Sequence, residues 1–203
     1  FPEFSRAALE TLRQPLEERE VTVSRVEASV TYPANFQLVA AMNPCPCGHF
    51  PDRSRCRCTD GQITRYLQKV SGPMLDRIDI CVEASPITYG DIRSSGNNES
   101  SREIRARVEQ ARKIQGERFA GENIRCNGEM SGRHIRKFCW LGREEEKFME
   151  EIFKKLALSA RMHDRILKVA RTTADLAEEE KIRLADLCEA VSYVKSRDKF
   201  WGN

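Results

Sequence analysis

Hydrophobic and polar residues follow two different periods in the first part of the chain. Apolar side chains three and four residues apart predict a helix over residues 5–20, with Ser5 as its N-cap and its end bent or shortened by Pro15. Alternating apolar and polar residues in "VTVSR" and "ASVTY" predict a β-hairpin with Arg25–Ala28 near its tip.

Two apolar stretches predict further strands. Residues 36–42 form a continuous apolar run, which is typical of a buried central strand of a parallel sheet. Residues 77–84 predict a second strand, and helices are expected over residues 61–70 and from residue 71. These strands are too few for an independent three-layer sheet, so we interpret the chain as part of a larger protein.

From Ser101 onward every pattern is helical. Five successive segments carry apolar residues at helical spacing, and a polar stretch rich in Gly, Ser and Asn precedes them. We therefore predict an α/β piece over residues 1–93, a linker over residues 94–100 and an all-helical domain over residues 101–203.

Composition limits the class of protein. Charged residues make up 32% of the 203 residues and apolar residues 40%, which is typical of a globular chain. The net charge of +3 is too small to indicate nucleic-acid binding by itself. No apolar run approaches the roughly 20 residues that span a bilayer, and there is no signal-peptide pattern, so we expect a reducing, intracellular location and no membrane.

Four of the eight cysteines are crowded into the stretch "NPCPCGHFPDRSRCRC". They form two Cys-x-Cys pairs that can reach one tetrahedral ion, and thiolates are the ligands that structural zinc prefers. Because Cys-x-Cys is tighter than the usual Cys-x2-Cys, a metal-free, reduced or redox-labile loop is the alternative, and His49 could replace one cysteine. The four candidate ligands are Cys45, Cys47, Cys56 and Cys58.

The remaining cysteines are scattered through helical or strand patterns. We interpret all four as ordinary small core residues. They are Cys81, Cys126, Cys139 and Cys188.

Four segments, in order along nearly the whole chain, resemble one known family. The segments "FPEFSRAALETLRQPLEEREVTVSR", "LVAAMNPCPCG", "SGPMLDRIDI" and "SARMHDRILKVARTTADL" are similar to magnesium-chelatase-like AAA+ ATPases of bacteria, the ComM/YifB type. The resemblance implies the C-terminal part of a P-loop AAA+ core, with a pre-sensor hairpin, followed by a helical lid. It also implies a cytoplasmic, homo-oligomeric, hexameric ring that uses ATP with Mg²⁺ to move branched DNA during transformation and recombination.

The resemblance also places the main phosphate-binding motifs outside this sequence. In the family, the Walker B Asp-Glu lies just before a segment like "FPEF", and the Walker A loop lies further upstream. No Gly-x-x-x-x-Gly-Lys-Ser/Thr pattern occurs in this sequence. We therefore expect no ATP hydrolysis from this chain alone.

Two residues of the α/β piece match family positions that act on nucleotide. Asn43 matches sensor 1, where an amide orients the attacking water or holds the γ-phosphate; its local alternative is a loop-starting Asn before Pro. Arg77 matches the arginine finger, which neutralises charge on a neighbouring subunit's phosphate. Its local alternative is an ion pair with Asp76 or Asp79.

Three more arginines receive roles from the resemblance. Arg161 matches sensor 2, with Arg165 one turn further along the same face as the alternative; an exposed first-turn arginine is the ordinary interpretation. The hairpin resembles one that points into the pore of helicase-type rings, so Arg25 is a candidate DNA-phosphate contact. An ordinary surface arginine is the alternative there.

The competing functional hypothesis is a chaperone-like or metal-chelatase motor that reshapes a partner protein. A basic pore hairpin and salt-sensitive DNA binding would favour the DNA motor. A stable complex with a protein partner would favour the chelatase-type motor.

Overall fold

The fold is taken from a computed structural model, which describes residues 1–25, 28–85, 87, 89–93 and 99–201. The chain divides into two compact units, Phe1–Asp79 with Arg197–Asn203, and Ile80–Ser196. The fold is mixed: mostly helical, with a two-stranded sheet among the described residues.

The first unit begins with a helix that is broken in two. The Ser5 hydroxyl accepts the Ala8 N–H at 3.2 Å, so the predicted N-cap is confirmed. Pro15 has no N–H to continue the helical ladder, and the helix is interrupted at Leu12. The elements of this unit are α1 (Arg6–Thr11), α2 (Arg13–Glu18), β1 (Glu20–Ser24), β2 (Ser29–Pro33), α3 (Asp60–Leu67) and α4 (Gly72–Leu75).

The predicted hairpin is confirmed. Strands β1 and β2 pair antiparallel, with Val21 opposite Tyr32 and Val23 opposite Val30 on one face. The other face is polar, and its hydroxyl pairs close at 3.0 Å and 2.7 Å. Nearly every side chain of the hairpin is exposed.

The two further strand predictions are wrong for this structure. Residues 36–42 and 77–84 form no strand, because a strand is held by hydrogen bonds to a neighbour and the described residues supply none. Several of their apolar side chains are open to solvent: Val39 is 84% exposed and Val82 is 74% exposed.

Two small apolar clusters hold the first unit together. Leu9 packs with residues of α4 and the turn before it, and the second cluster joins Cys45 to the buried face of α3. Helix α3 starts with a capping box in which Thr59 and Gln62 bond each other's backbone N–H groups. The second cluster therefore anchors the cysteine-rich loop to α3.

The helices that follow residue 80 include the five predicted after Ser101, which are confirmed, and one short helix that was not predicted. Of the predicted linker, residues 94–98 lie outside the described residues. The elements are α5 (Tyr89–Arg93), α6 (Ser101–Arg118), a 3-10 turn (Asn127–Glu129), α7 (Gly132–Phe138), α8 (Arg143–Lys155), α9 (Ala160–Leu176) and α10 (Leu184–Trp201).

Helix α9 lies at the centre of the second unit. Its predicted inward face is buried, including Ile166 and Ala170. Cys139 is also buried, but Cys188 is exposed, so the core prediction for Cys188 is wrong. Cys188 lies on the solvent-exposed side of α10. The spacing of apolar residues in this helix did not predict which side would be buried. No helix in the described part of the chain is both long and apolar enough to cross a membrane.

Candidate metal centre and surrounding residues

The structure brings the four clustered cysteines together. All four Sγ atoms lie within 4.8 Å of one another. Cys45 Sγ lies 3.4 Å from Cys47 Sγ and 3.7 Å from Cys56 Sγ, and the latter two sulfurs are 3.6 Å apart. All four cysteines are free thiols, because their sulfur–sulfur separations are far longer than the roughly 2 Å of a disulfide bond.

These separations suit a tetrahedral metal ion. Zinc–thiolate bonds of about 2.3 Å in a tetrahedron place the sulfurs about 3.8 Å apart. The three separations among Cys45, Cys47 and Cys56 therefore need little adjustment to hold one ion, and Cys58 Sγ lies within 4.8 Å of each of them. His49 is not part of the group of four. Four thiolates fill every position of a zinc ion, so such a site is structural and leaves no place for a substrate.

Backbone N–H groups stabilise the thiolate form of Cys45 and Cys47. The Phe50 N–H donates to Cys45 Sγ at 3.4 Å, and Cys45 is fully buried. N–H groups of His49 and Arg57 lower the pKa of the Cys47 thiol to about 6. Burial raises the pKa of Cys58 to about 11, so this thiol loses its proton readily only when a cation compensates the charge.

Asn43 lies beside this centre and is exposed. The residues on either side of it, Met42 and Cys45, pack in the same cluster as Tyr66, a buried residue of α3. A side chain at Gly48 would contact the Asn43 amide, so the two residues are neighbours. No described residue hydrogen-bonds the Asn43 side chain, which leaves its donor and acceptor available to a ligand.

Arg77 follows α4 and is held by its own unit. Its guanidinium pairs with Glu17 of α2 and donates to the Pro73 carbonyl oxygen. The side chain is 14% exposed. The sequence suggested a local pair with Asp76 or Asp79, and the structure shows a carboxylate from a distant part of the chain.

The candidate lid arginines lie at the start of α9. Ser159 caps this helix by accepting the Met162 N–H at 3.2 Å. Arg161 is exposed, and the described residues offer it no ion-pair or hydrogen-bond partner. Arg165, one turn later, is half-buried and takes part in an interaction.

Arg25 lies at the end of the hairpin, as predicted. Its N–H donates to the Ala28 carbonyl at 2.8 Å, and the reverse bond is 3.3 Å. The arginine is exposed, and the two residues between Arg25 and Ala28 lie outside the described residues. The position leaves its guanidinium accessible to a large partner.

Comparison with known proteins assigns the chain to a family. Residues 1–92 match the family model described as magnesium chelatase, subunit ChlI, and residues 98–194 match the model for the C-terminal part of the same subunit. The chain belongs to the magnesium-chelatase-like family. This confirms the family resemblance drawn from the four sequence segments.

Relatives within the magnesium-chelatase-like family cover nearly the whole chain. It is 43% identical over 194 residues to competence protein ComM of Haemophilus influenzae, and 43% identical over 195 residues to YifB of Escherichia coli, in each case over 95% of this chain. A protein of Mycobacterium tuberculosis is 37% identical over 191 residues and 94% of this chain. The chain spans only 37–38% of these relatives' lengths.

Three neighbours of the candidate residues were missed by sequence reasoning. Gly48 and Tyr66 lie beside Asn43, and Glu17 pairs with Arg77. Only Gly48 left a signal in the sequence, because a glycine directly after a Cys-x-Cys pair suggests a tight turn. The other two contacts join distant parts of the chain.

Proposed function

We propose that this chain is part of a AAA+ ATPase of the ComM/YifB type that couples hydrolysis of ATP with Mg²⁺ to DNA remodelling, such as branch migration or unwinding. The single observation that carries the proposal is 43% identity to a competence protein over 95% of the chain. The longer protein would act as a cytoplasmic hexameric ring. This chain, without a Walker A loop, would not hydrolyse ATP alone.

In the proposed mechanism, Asn43 contacts the nucleotide. Its exposed amide, without a partner among the described residues, can accept a hydrogen bond from the attacking water or donate one to the γ-phosphate. The first contact would orient the attacking water towards the phosphorus, and the second would hold the γ-phosphate in place. This role needs the side chain to be held in one orientation, since misplacement by about 1 Å can cost about 100-fold in rate.

Arg77 would act on the nucleotide of a neighbouring subunit. Its guanidinium already binds a carboxylate, Glu17, which a phosphoryl group of greater charge can displace. Moving from Glu17 to phosphate neutralises the charge that develops as the phosphoryl group departs. Glu17 would then serve as the resting partner of the finger.

Arg161 is the proposed sensor 2, and Arg165 the alternative. The exposed position of Arg161 in the first turn of α9 supports this choice. Contact with the γ-phosphate would couple the orientation of the helical lid to the nucleotide state.

Arg25 is the proposed DNA contact. Exposed at the hairpin end, it can pair with a phosphate without reading sequence, and such contacts weaken as salt rises. A matched control is Arg143, an exposed arginine at the start of α8. Arg25→Ala should weaken DNA binding and flatten its salt dependence, whereas Arg143→Ala should leave both unchanged.

The four cysteines would hold one structural Zn²⁺, which would brace the loop between Asn43 and α3. The sulfur separations of 3.4–3.7 Å support this. Freshly purified, reduced protein should contain about one zinc per chain, and Cys56→Ser should lose it. Zinc-free protein with all four thiols reduced would show that the loop is metal-free.

A motor acting on a protein partner is the second candidate function. The description of the matched family, magnesium chelatase, favours it. It predicts a stable complex with that partner and ATP turnover that is indifferent to DNA.

ATP turnover of the full-length protein separates the two candidates. We would compare no DNA, single strands and a three-stranded junction, each at low and moderate salt. Strong stimulation by the junction that fades with salt supports the DNA motor. Equal turnover under all conditions would contradict it and favour the protein-directed motor.

A further inference from the structure

The exposed side chain of Asn43 lies beside the cysteine centre. Asn43 precedes Cys45 by two residues, and Gly48 directly follows Cys47. A Cβ atom built on Gly48 would lie 3.7 Å from Asn43 Cγ and 3.9 Å from both amide atoms. The backbone of Gly48 therefore borders one side of the space around the exposed Asn43 amide, and it forms the wall of that side.

A tight turn brings Gly48 to this place. Its N–H donates to the Cys45 carbonyl at 3.0 Å, which closes the turn over residues 45–48. Gly48 has a φ of +80°, a conformation that glycine adopts without steric cost. Two candidate metal ligands, Cys45 and Cys47, lie inside the turn, so fixing their sulfurs also fixes Gly48.

The chain on either side of Asn43 is anchored to α3. Met42 and Cys45, which lie on either side of it, pack in one apolar cluster with the buried face of α3. The main chain around Asn43 is thus held against α3, while its exposed side chain lies beside the turn. Loss of order in the turn would free the amide without moving α3.

We propose that metal binding by the four cysteines positions the Asn43 amide, with Gly48 as the positioning residue between them. With an ion bound, the sulfurs, the turn and the wall at Gly48 are held together. Without it, only the Cys45–Gly48 backbone hydrogen bond and the contacts of the apolar cluster hold the turn. The consequence for catalysis rests on the proposed sensor function of Asn43, whereas the positioning itself does not.

Nuclear magnetic resonance on the 203-residue chain tests the positioning directly. The side-chain amide signal of Asn43 is assigned by its disappearance in Asn43→Asp. We would record it in zinc-loaded protein, after chelation, and after zinc is restored. The expected result is one ordered χ1 rotamer with zinc, rotamer averaging without it, and recovery on addition of zinc.

The variant Gly48→Ala tests the effect of Gly48 on Asn43 separately from the effect of the metal. This variant should still bind about one zinc per chain, but its Asn43 amide signal should shift. The matched control is Gly121→Ala, which has a similar φ of +84° and no atom within 4 Å of the added Cβ. The inference would be overturned if the Asn43 amide signal were the same with and without zinc and the same in Gly48→Ala as in the wild type.

Kinetics of the full-length protein then tests the consequence. Gly48→Ala should lower ATP turnover by about 10- to 100-fold while nucleotide affinity stays within about twofold, and Gly121→Ala should match the wild type. If the Asn43 signal depends on zinc but turnover of Gly48→Ala is normal, the positioning stands and the sensor function of Asn43 fails. The two failures are therefore distinguishable.

Discussion

Asp175 in α9 is the centre of a buried polar network in the second unit. Its carboxylate is fully buried and accepts hydrogen bonds from three side chains. Arg118 binds both oxygens, one of them at 2.7 Å. Asn127 Nδ2 donates at 2.8 Å and Arg171 Nε at 3.1 Å. The network ties α6 and the 3-10 turn to α9.

Replacing Asp175 by Ala leaves two arginines without this carboxylate. The side chains of Arg171 and Arg118 are only 3% and 14% exposed, so water cannot fully replace the lost partner. Removing one member of a buried ion pair costs about 3–5 kcal/mol. Arg171 keeps the carbonyl oxygens of Glu179 and Glu180 as acceptors, which places the expected loss near 3 kcal/mol.

Urea unfolding followed by helical circular dichroism measures this loss. Glu150→Ala is a matched control, because Glu150 also pairs with a cation but is 67% exposed beside Lys154 at 71%. Its unfolding midpoint should hardly move. If Asp175→Ala were as stable as Glu150→Ala, the network would not hold the second unit together. The buried ion pairs of Asp175 would then add nothing measurable to the free energy of unfolding.

Three further predictions concern one buried thiol, Arg77, and the choice between Arg161 and Arg165. Burial raises the pKa of Cys139 from 9.0 to about 12, so the unfolded chain loses this proton first as the pH rises. Between about pH 8 and about pH 10.5, wild type should lose about 2 kcal/mol more of its free energy of unfolding than Cys139→Ala, and parallel curves would contradict this. In the full-length protein, Arg77→Ala should abolish ATP hydrolysis and leave nucleotide binding nearly intact; normal turnover would remove Arg77 from the mechanism. Arg161→Ala should impair turnover more than Arg165→Ala, and the reverse order in the same assay would assign sensor 2 to Arg165.

Local patterns predicted the elements whose stability comes from neighbouring residues. The hairpin was found because its alternation and its turn are both local. The helices from Ser101 onward were found because each has an apolar face at helical spacing. The network around Asp175 left no such signal, since its partners lie far apart in the sequence.

The strand predictions failed because a strand depends on its neighbours. Residues 36–42 have the composition of a central strand, but the described residues supply no strand to pair with them. In the same way, the sequence around Arg77 suggested nearby aspartates, while the actual partner is Glu17. The spacing of the cysteines predicted which residues to bring together, and Gly48 and Tyr66 became visible only in three dimensions.

Movement of a three-stranded DNA junction by the full-length protein would show most directly whether it is a DNA motor. We expect movement with ATP and Mg²⁺, none with a non-hydrolysable ATP analogue, and none for Asn43→Ala or Arg77→Ala rings that still bind nucleotide and DNA. Gly121→Ala, which alters neither site, should move the junction at the wild-type rate. A wild-type ring that hydrolyses ATP but leaves every junction in place would contradict the proposed DNA motor.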